Sequence, residues 1–203
     1  RGMELAITGD VPQGAGLSSS AALEVAIAGA IRAAAALPVD NVALAKLCRR
    51  AENAFVGVQS GIMDQFASTL SRRDHALLID CRSLEYRHVQ MRLADAGLAI
   101  VIANSAVRRE LVSSAYNERR RECEEAVALL RGRLARDVDS LRDVSEDELD
   151  TATLPDVLDR RARHVVGEIA RVAVAGDALE RGDFPARGEW RHEAHLILRN
   201  DYE

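Results

Sequence analysis

The spacing of hydrophobic positions changes several times along the chain, and each change marks an expected element. Met3, Leu5 and Ile7 alternate weakly with polar or small neighbours up to Thr8, the period-two pattern of a strand. A turn follows, Gly9-Asp10-Val11-Pro12-Gln13-Gly14-Ala15-Gly16, and then Leu17-Ser18-Ser19-Ser20. From Ala21 to Leu37 the chain is Ala-rich with Leu23, Ile27 and Ile31 at i, i+4 and i+8, which predicts a buried helix that Pro38 stops. Asp40 is placed to cap a second helix running to about Phe55, with Val42, Leu44, Ala45 and Leu47 on its apolar side. Gly57 and Gly61 break the chain before a short helix from Ile62 to Leu70. Three strand-like segments come next: Ala76 to Asp80, Tyr86 to Met91, and Leu98 to Asn104. The last is almost wholly apolar, as a central strand of a sheet would be.

The second half is helical by pattern. A long charged helix is expected from Ser113 to Leu134, where Glu and Arg recur at i, i+3 and i, i+4 and support one another along the surface. Asp143 to Asp150 reads as an acidic connector with a short helix, and Leu158–Gly182 and Phe184–Tyr202 as two more helices. The break between them, Arg181-Gly182-Asp183-Phe184-Pro185, supplies a glycine cap and then a proline for the next first turn. The fold class is α+β, with no internal repeat.

Composition narrows the function classes. The 203 residues are 48% hydrophobic and 29% charged, ordinary for a globular chain and unlike disordered or collagen-like sequences. A net charge of −5 points to neither a nucleic-acid nor a membrane partner, and no apolar run is long enough to span a bilayer. Cys48, Cys81 and Cys123 form no CxxC pair, so three buried, inert thiols in a reduced cytoplasm are expected. Lys46 is the single lysine, and it lies within a helical pattern with no glycine-rich loop before it. Neither a GxxxxGK[ST] phosphate loop nor a strand-borne kinase lysine is present, so any ATP must be held another way.

The segment with most chemical content is Pro12 to Ala22. A glycine-rich turn feeds straight into a helix start, where free backbone N–H groups and the positive end of the helix dipole favour an anion. Gly14 and Gly16 let the backbone approach phosphate oxygens, and Ser18, Ser19 and Ser20 add hydroxyls that donate to phosphate or ligate Mg²⁺. The plainer reading is a capped helix, in which the serines satisfy orphan N–H groups. Glu52 and Asp64, the latter within Gly61-Ile62-Met63-Asp64-Gln65, are candidate carboxylates. Equally, Glu52 is an ordinary solvated side chain near a helix end, and Asp64 a cap for the short helix after Gly61. Tyr116 is either a ligand contact or a filler on an amphipathic helix. His192 and His195, at i and i+3, read as surface histidines, since the pattern is not HExxH.

Taken in order, these pieces resemble one family. Pro12-x-x-x-Gly16-Leu17-Ser18-Ser19-Ser20-Ala21 is similar to the second motif of the GHMP kinases. The downstream blocks narrow the resemblance to the galactokinases. They are Gly61-Ile62-Met63-Asp64-Gln65-Phe66, Ala76 to Glu85, Asn104-Ser105-x-Val107-Arg108, Tyr116 to Glu124, Arg161 to Glu168, and Arg199-Asn200-Asp201-Tyr202-Glu203.

The resemblance implies a two-lobe α+β GHMP kinase fold, with 1–105 in the N-terminal lobe carrying the phosphate loop and 106–203 in a mostly helical part of the C-terminal lobe. It implies that Gly14, Ala15, Gly16, Leu17, Ser18, Ser19 and Ser20 wrap the ATP phosphates and that Ser20 and Glu52 hold Mg²⁺. Gly61, Asp64 and Tyr116 would contact galactose, with Asp64 as catalytic base or charge-stabilising carboxylate at the anomeric hydroxyl. The implied activity is ATP-dependent formation of galactose 1-phosphate in the cytoplasm. The alternatives are a kinase for N-acetylgalactosamine or arabinose, or a non-catalytic regulator sensing sugar and ATP; the intact Ser18-Ser19-Ser20-Ala21-Ala22 favours an enzyme. Two family motifs, one of Arg-x-Asn-Leu-Ile-Gly-Glu-His-Thr-Asp-Tyr type and one of Gly-Gly-Gly-Phe-Gly-Gly type, do not occur, and Ala194 stands where serine is expected. The sequence is therefore expected to be an internal piece, inactive by itself and poorly soluble through unpaired sheet edges.

Overall fold

The computed structural model describes residues 2–104, 112–183, 192 and 194–196. The chain divides into two compact units. Unit 1 comprises 1–73, 79–86 and 93–112, and unit 2 comprises 74–78, 87–92 and 113–203.

Unit 1 is a cluster of three helices, α1 (Ser19–Ala34), α2 (Asn41–Ala51) and α3 (Met63–Leu70), all three in mutual contact. Asp40 caps α2 as its position predicts, accepting from the Ala43 N–H at 2.7 Å. The buried stripe of α2 is Leu44, Ala45 and Cys48 rather than one that includes Leu47, which is 44% exposed. From α3, Ile62, Phe66 and Leu70 complete this small core, and the Phe66 ring meets Tyr86 edge-on at 6.1 Å. Beyond α2 the helix runs on past Phe55, as expected, but not as α-helix. It widens into a π-helical turn, Glu52–Val56, closed by the Gly57 N–H donating back to the Glu52 carbonyl, with Gly57 at φ 85°.

Unit 2 is built on α4 (Val112–Arg133), α5 (Glu146–Thr151) and α6 (Asp156–Arg181). Ala126, Leu130, Val138, Leu141, Val144, Leu149, Leu158, Ala162 and Val166 form one continuous buried core. Arg161 of α6 donates to Glu122 of α4 at 2.6 Å, both side chains largely buried, so the charged face of α4 is partly an interhelical contact. The expected surface pairs also form, Arg120 with Glu124 and Arg121 with Glu118. Gly182 closes α6 at φ 72°. The strands β1 (His75–Ile79) and β2 (Tyr86–Gln90) pair as an antiparallel hairpin; its open end lies in unit 2 and its turn in unit 1. Gly176 of α6 lies close to β1: a Cβ there would stand 3.3 Å from Leu78, which would have to give way slightly.

Four further expectations need correcting. Met3–Thr8 is not a strand: residues 2–10 are all exposed, Met3 at 49% and Ile7 at 60%. Leu98–Asn104 is not a central strand either, and Val101 is 84% exposed. An isolated strand has no ladder to satisfy its backbone, and neither segment has one among the described residues. The helix α1 forms but buries only Ala21, leaving Leu23 and Ile31 exposed at 45% and 38%, because α2 and α3 cover one side of it. Cys48 is buried and Cys123 half-buried, with burial pushing both thiols above their ordinary range, but Cys81 is exposed. Of the helix expected at Phe184–Tyr202, His192 and residues 194–196 are described and helical, with both histidines exposed. The Asn104 block beyond residue 104 and the Arg199–Glu203 block lie outside the described residues.

Candidate functional site

The loop before α1 is not a conventional cap. Gly14 and Gly16 sit at φ 71° and 72°, the left-handed region that glycine enters without cost, and a side chain at either would meet nothing within 4 Å. Ser18, the residue before the first helical turn, also adopts a left-handed conformation, φ 55° and ψ 40°, and its side chain makes no capping bond. A left-handed serine is strained by roughly 1 kcal/mol. Its carbonyl still accepts the first helical bond, from Ala22 N–H at 3.1 Å. The plain capped-helix reading therefore fails here. The Ser18 side chain uses none of the first-turn N–H groups of α1, and Ser20 beside them is exposed.

The Ser20 hydroxyl donates to Glu52 Oε1 at 2.8 Å, joining positions 32 residues apart. Glu52 lies where α2 opens into the π turn, and its second oxygen is held from below. The Ser60 hydroxyl lies 2.7 Å from Glu52 Oε2 and 3.0 Å from Asn53 Oδ1, so its one proton goes to the charged acceptor. Gln65 Nε2 donates to the same Oε2 at 3.0 Å and more weakly to Glu24 Oε2 at 3.4 Å. The Ser60 carbonyl in turn accepts from Arg49 Nε at 3.2 Å, which ties the 57–60 loop back to α2. Burial raises the Glu24 carboxyl above the ordinary range; the Gln65 hydrogen bond opposes this and the nearby Glu52 charge adds to it.

Ser20 and Glu52 are a hard-oxygen pair of the kind that could hold one Mg²⁺. Among the described residues no group of three His, Cys, Asp or Glu side chains converges, so such an ion would take its remaining ligands from phosphate and water. The donor set fits a nucleotide-bound cation rather than an all-protein cage.

Asp64 is in the first turn of α3, where the helix dipole favours a carboxylate, but the residue before that helix is Ile62 and Asp64 does not cap it. It is half-buried and accepts no hydrogen bond among the described residues. Gly61 precedes it, exposed. The structure thus gathers Gly14 to Ser20, Glu52, Gly61 and Asp64 into unit 1, while Tyr116 stands 43% exposed on α4 of unit 2. Sequence reasoning passed over Glu24, Ser60 and Gln65. The available signal was polarity out of place: Glu24 in an Ala-rich helix, and Gln65 at a position where the spacing of Ile62, Phe66 and Leu70 asks for an apolar side chain.

Residues 1–72 match the family model for the GHMP kinases N terminal domain. A crystal structure of Lactococcus lactis galactokinase complexed with galactose matches 96% of the chain at 34% sequence identity with a TM-score of 0.86. Residues 1–72 thus belong to the GHMP kinase family. The chain spans 50% of the length of that galactokinase, and its α+β architecture is the GHMP kinase fold. Among the described residues no helix is long and apolar enough to cross a membrane.

Proposed function

We propose that the whole protein phosphorylates galactose at its anomeric hydroxyl with ATP, giving galactose 1-phosphate and ADP. The observation that carries this reading is the convergence of an uncapped, glycine-flanked helix start with the Ser20–Glu52 pair in the unit that also bears the unengaged carboxylate of Asp64. The likeness to a galactokinase solved with galactose supports the choice of sugar.

The N–H groups at the start of α1 and the Ser18–Ser20 hydroxyls bind the triphosphate and hold its γ-phosphorus in place. Asp64 accepts the proton of the anomeric hydroxyl as its oxygen bonds to that phosphorus and the bond to the β,γ-bridging oxygen breaks. Ser20 and Glu52 would hold Mg²⁺, which when bound would neutralise charge on the phosphates. Gly61 and Tyr116 contact the sugar. A reduced, cytoplasmic setting agrees with three cysteines that form no disulfide.

The test is ADP release by the whole protein with ATP and Mg²⁺ over a panel of galactose, N-acetylgalactosamine and arabinose. Release with galactose at the highest kcat/KM supports the reading. Preference for another sugar reassigns the substrate, and tight sugar binding without turnover makes the protein a sensor rather than an enzyme.

A further inference from the structure

Gln65 is the buried polar side chain among the described residues, with 0% exposure, and it sits between Ile62, Phe66 and Leu70 in the core of unit 1. An amide is a poor occupant for such a place unless its polar atoms are paired, and only one end of this one is. Nε2 donates to Glu52 and Glu24, while Oε1 is buried without a partner. The neighbouring carboxyl oxygens of Glu52 and Glu24 accept, so the amide is held with its NH₂ end toward them. That single group links three pieces of chain: α1, which carries Ser20 and Glu24; the π turn, which carries Glu52; and α3, where Gln65 follows Asp64 directly.

The chemistry of the amide is suited to this place. A lysine or arginine there would neutralise Glu52 and compete with a cation for it. An amide supplies a proton to Oε2 without cancelling the charge, and Oε1 stays turned toward Ser20.

We propose that Gln65 is a positioning residue, braced by Glu24, that fixes the Glu52 carboxylate for a nucleotide-bound divalent cation. This rests on the reading of Ser20 and Glu52 given above. The carboxamide holds the Glu52 carboxylate in one orientation while its own position on α3 registers that carboxylate against Asp64.

The experiment compares the whole protein with its Gln65→Met and Glu24→Ala variants. Binding of Mn²⁺ with ADP is followed by calorimetry, and turnover by Mg²⁺ titration at fixed ATP and sugar. Gln65→Met keeps the volume and removes the unpaired oxygen, so its melting temperature is expected to hold or rise. Its Mn²⁺-ADP affinity is expected to fall by about 10–100-fold, with a matching rise in the Mg²⁺ requirement and an unchanged KM for sugar. Glu24→Ala, which leaves the core volume alone, is expected to move the same two readouts by about threefold, a few tenths of a tenfold step. Unchanged Mn²⁺-ADP affinity in both variants overturns the proposal while leaving the kinase reading intact, as does a uniform loss of stability and kcat with the Mg²⁺ dependence unmoved. Absence of Mn²⁺-ADP binding by the unmutated protein overturns both.

Discussion

Serine stands at the start of helices in both units, and it does opposite things in them. In unit 2, the turn at Leu141–Asp143 and the helix α5 are each closed by a reciprocal capping box. Ser140 pairs with Asp143, and Ser145 with Glu148, each side chain bonding the other residue's backbone N–H. In unit 1, α1 begins on three consecutive serines, yet Ser18 lies in a left-handed conformation and caps nothing. Where a helix end has only to be stable, the orphan N–H groups are consumed locally. At the start of α1, which on the proposed reading receives an anion, Ser18 consumes none of them, and the strain of the αL serine is tolerated. The same contrast holds in the interiors. Unit 2 encloses a continuous aliphatic core, whereas the smaller core of unit 1 contains a half-paired glutamine under the candidate metal carboxylate.

The largest effect should come from Asp64, on the open side of this comparison. Asp64→Ala in the whole protein is expected to lower galactose-dependent kcat by roughly 10²–10⁴-fold, the usual contribution of a general base. Nucleotide affinity and melting temperature should change little, because Asp64 holds no partner in the described structure. A variant that retains most of its turnover in an ADP-release assay removes Asp64 from the chemistry.

Leu130→Ala should behave in the reverse way. Leu130 is fully buried at the centre of unit 2, so truncation is expected to cost about 2–5 kcal/mol of stability through lost transfer energy and the cavity left behind. Below its lowered melting temperature the folded variant should bind nucleotide normally. If thermal unfolding is unshifted, this core does not hold unit 2 together.

The serines themselves give a smaller and more direct contrast. Ser145→Ala removes an oxygen that accepts the Glu148 N–H at 3.3 Å and is expected to cost about 1 kcal/mol. Ser18→Ala removes no cap and should cost less than about 0.5 kcal/mol, while weakening ATP binding. Equal losses in a denaturant titration would erase the distinction between the two helix starts.

Much of the frame was legible in the sequence. Apolar spacing and chain breaks placed helices α1 to α6 of the described residues, the Asp40 cap and the Gly182 stop fixed two ends, and the strand-like segments placed both strands of the hairpin within one residue. Other features escaped for physical reasons. A π turn of five residues, Glu52–Val56, has too few repeats to be told from α-helix by period. A serine at a helix start is a cap by default, and nothing local in Leu17-Ser18-Ser19 signals the left-handed φ. The apolar pattern of Met3–Ile7 and Leu98–Ile102 states which surroundings those side chains favour, not whether a ladder partner is present to build them. At the site, Ser20 and Asp64 stood out because their blocks resemble a kinase family, and Glu52 as a carboxylate near a helix end. Gln65 was in the same block, but its role depends on Glu24, 41 positions away, and only the fold brings the two together.

The smallest effect concerns acid. Glu148 accepts from Arg136 at 2.7 and 2.9 Å and from the Ser145 N–H at 2.9 Å, and these bonds hold its carboxyl down to about 2 from an ordinary 4.5. The folded form thus favours the ionised carboxylate more than the unfolded chain does. That stabilisation is complete above pH 4.5 and drains away as pH falls toward 2, where folded and unfolded forms both take up the proton. Glu148→Gln keeps an acceptor for the capping box but removes the charge. Its melting temperature should lie slightly below that of the unmodified protein at neutral pH, and the gap should narrow steadily through this acid window. The side chain is partly open to solvent, 30% exposed, so added salt should shrink the gap at neutral pH as well. A gap that stays constant from neutral pH down to 2 would assign the role of Glu148 to its cap alone, and the closed helix start of unit 2 would then owe nothing to charge.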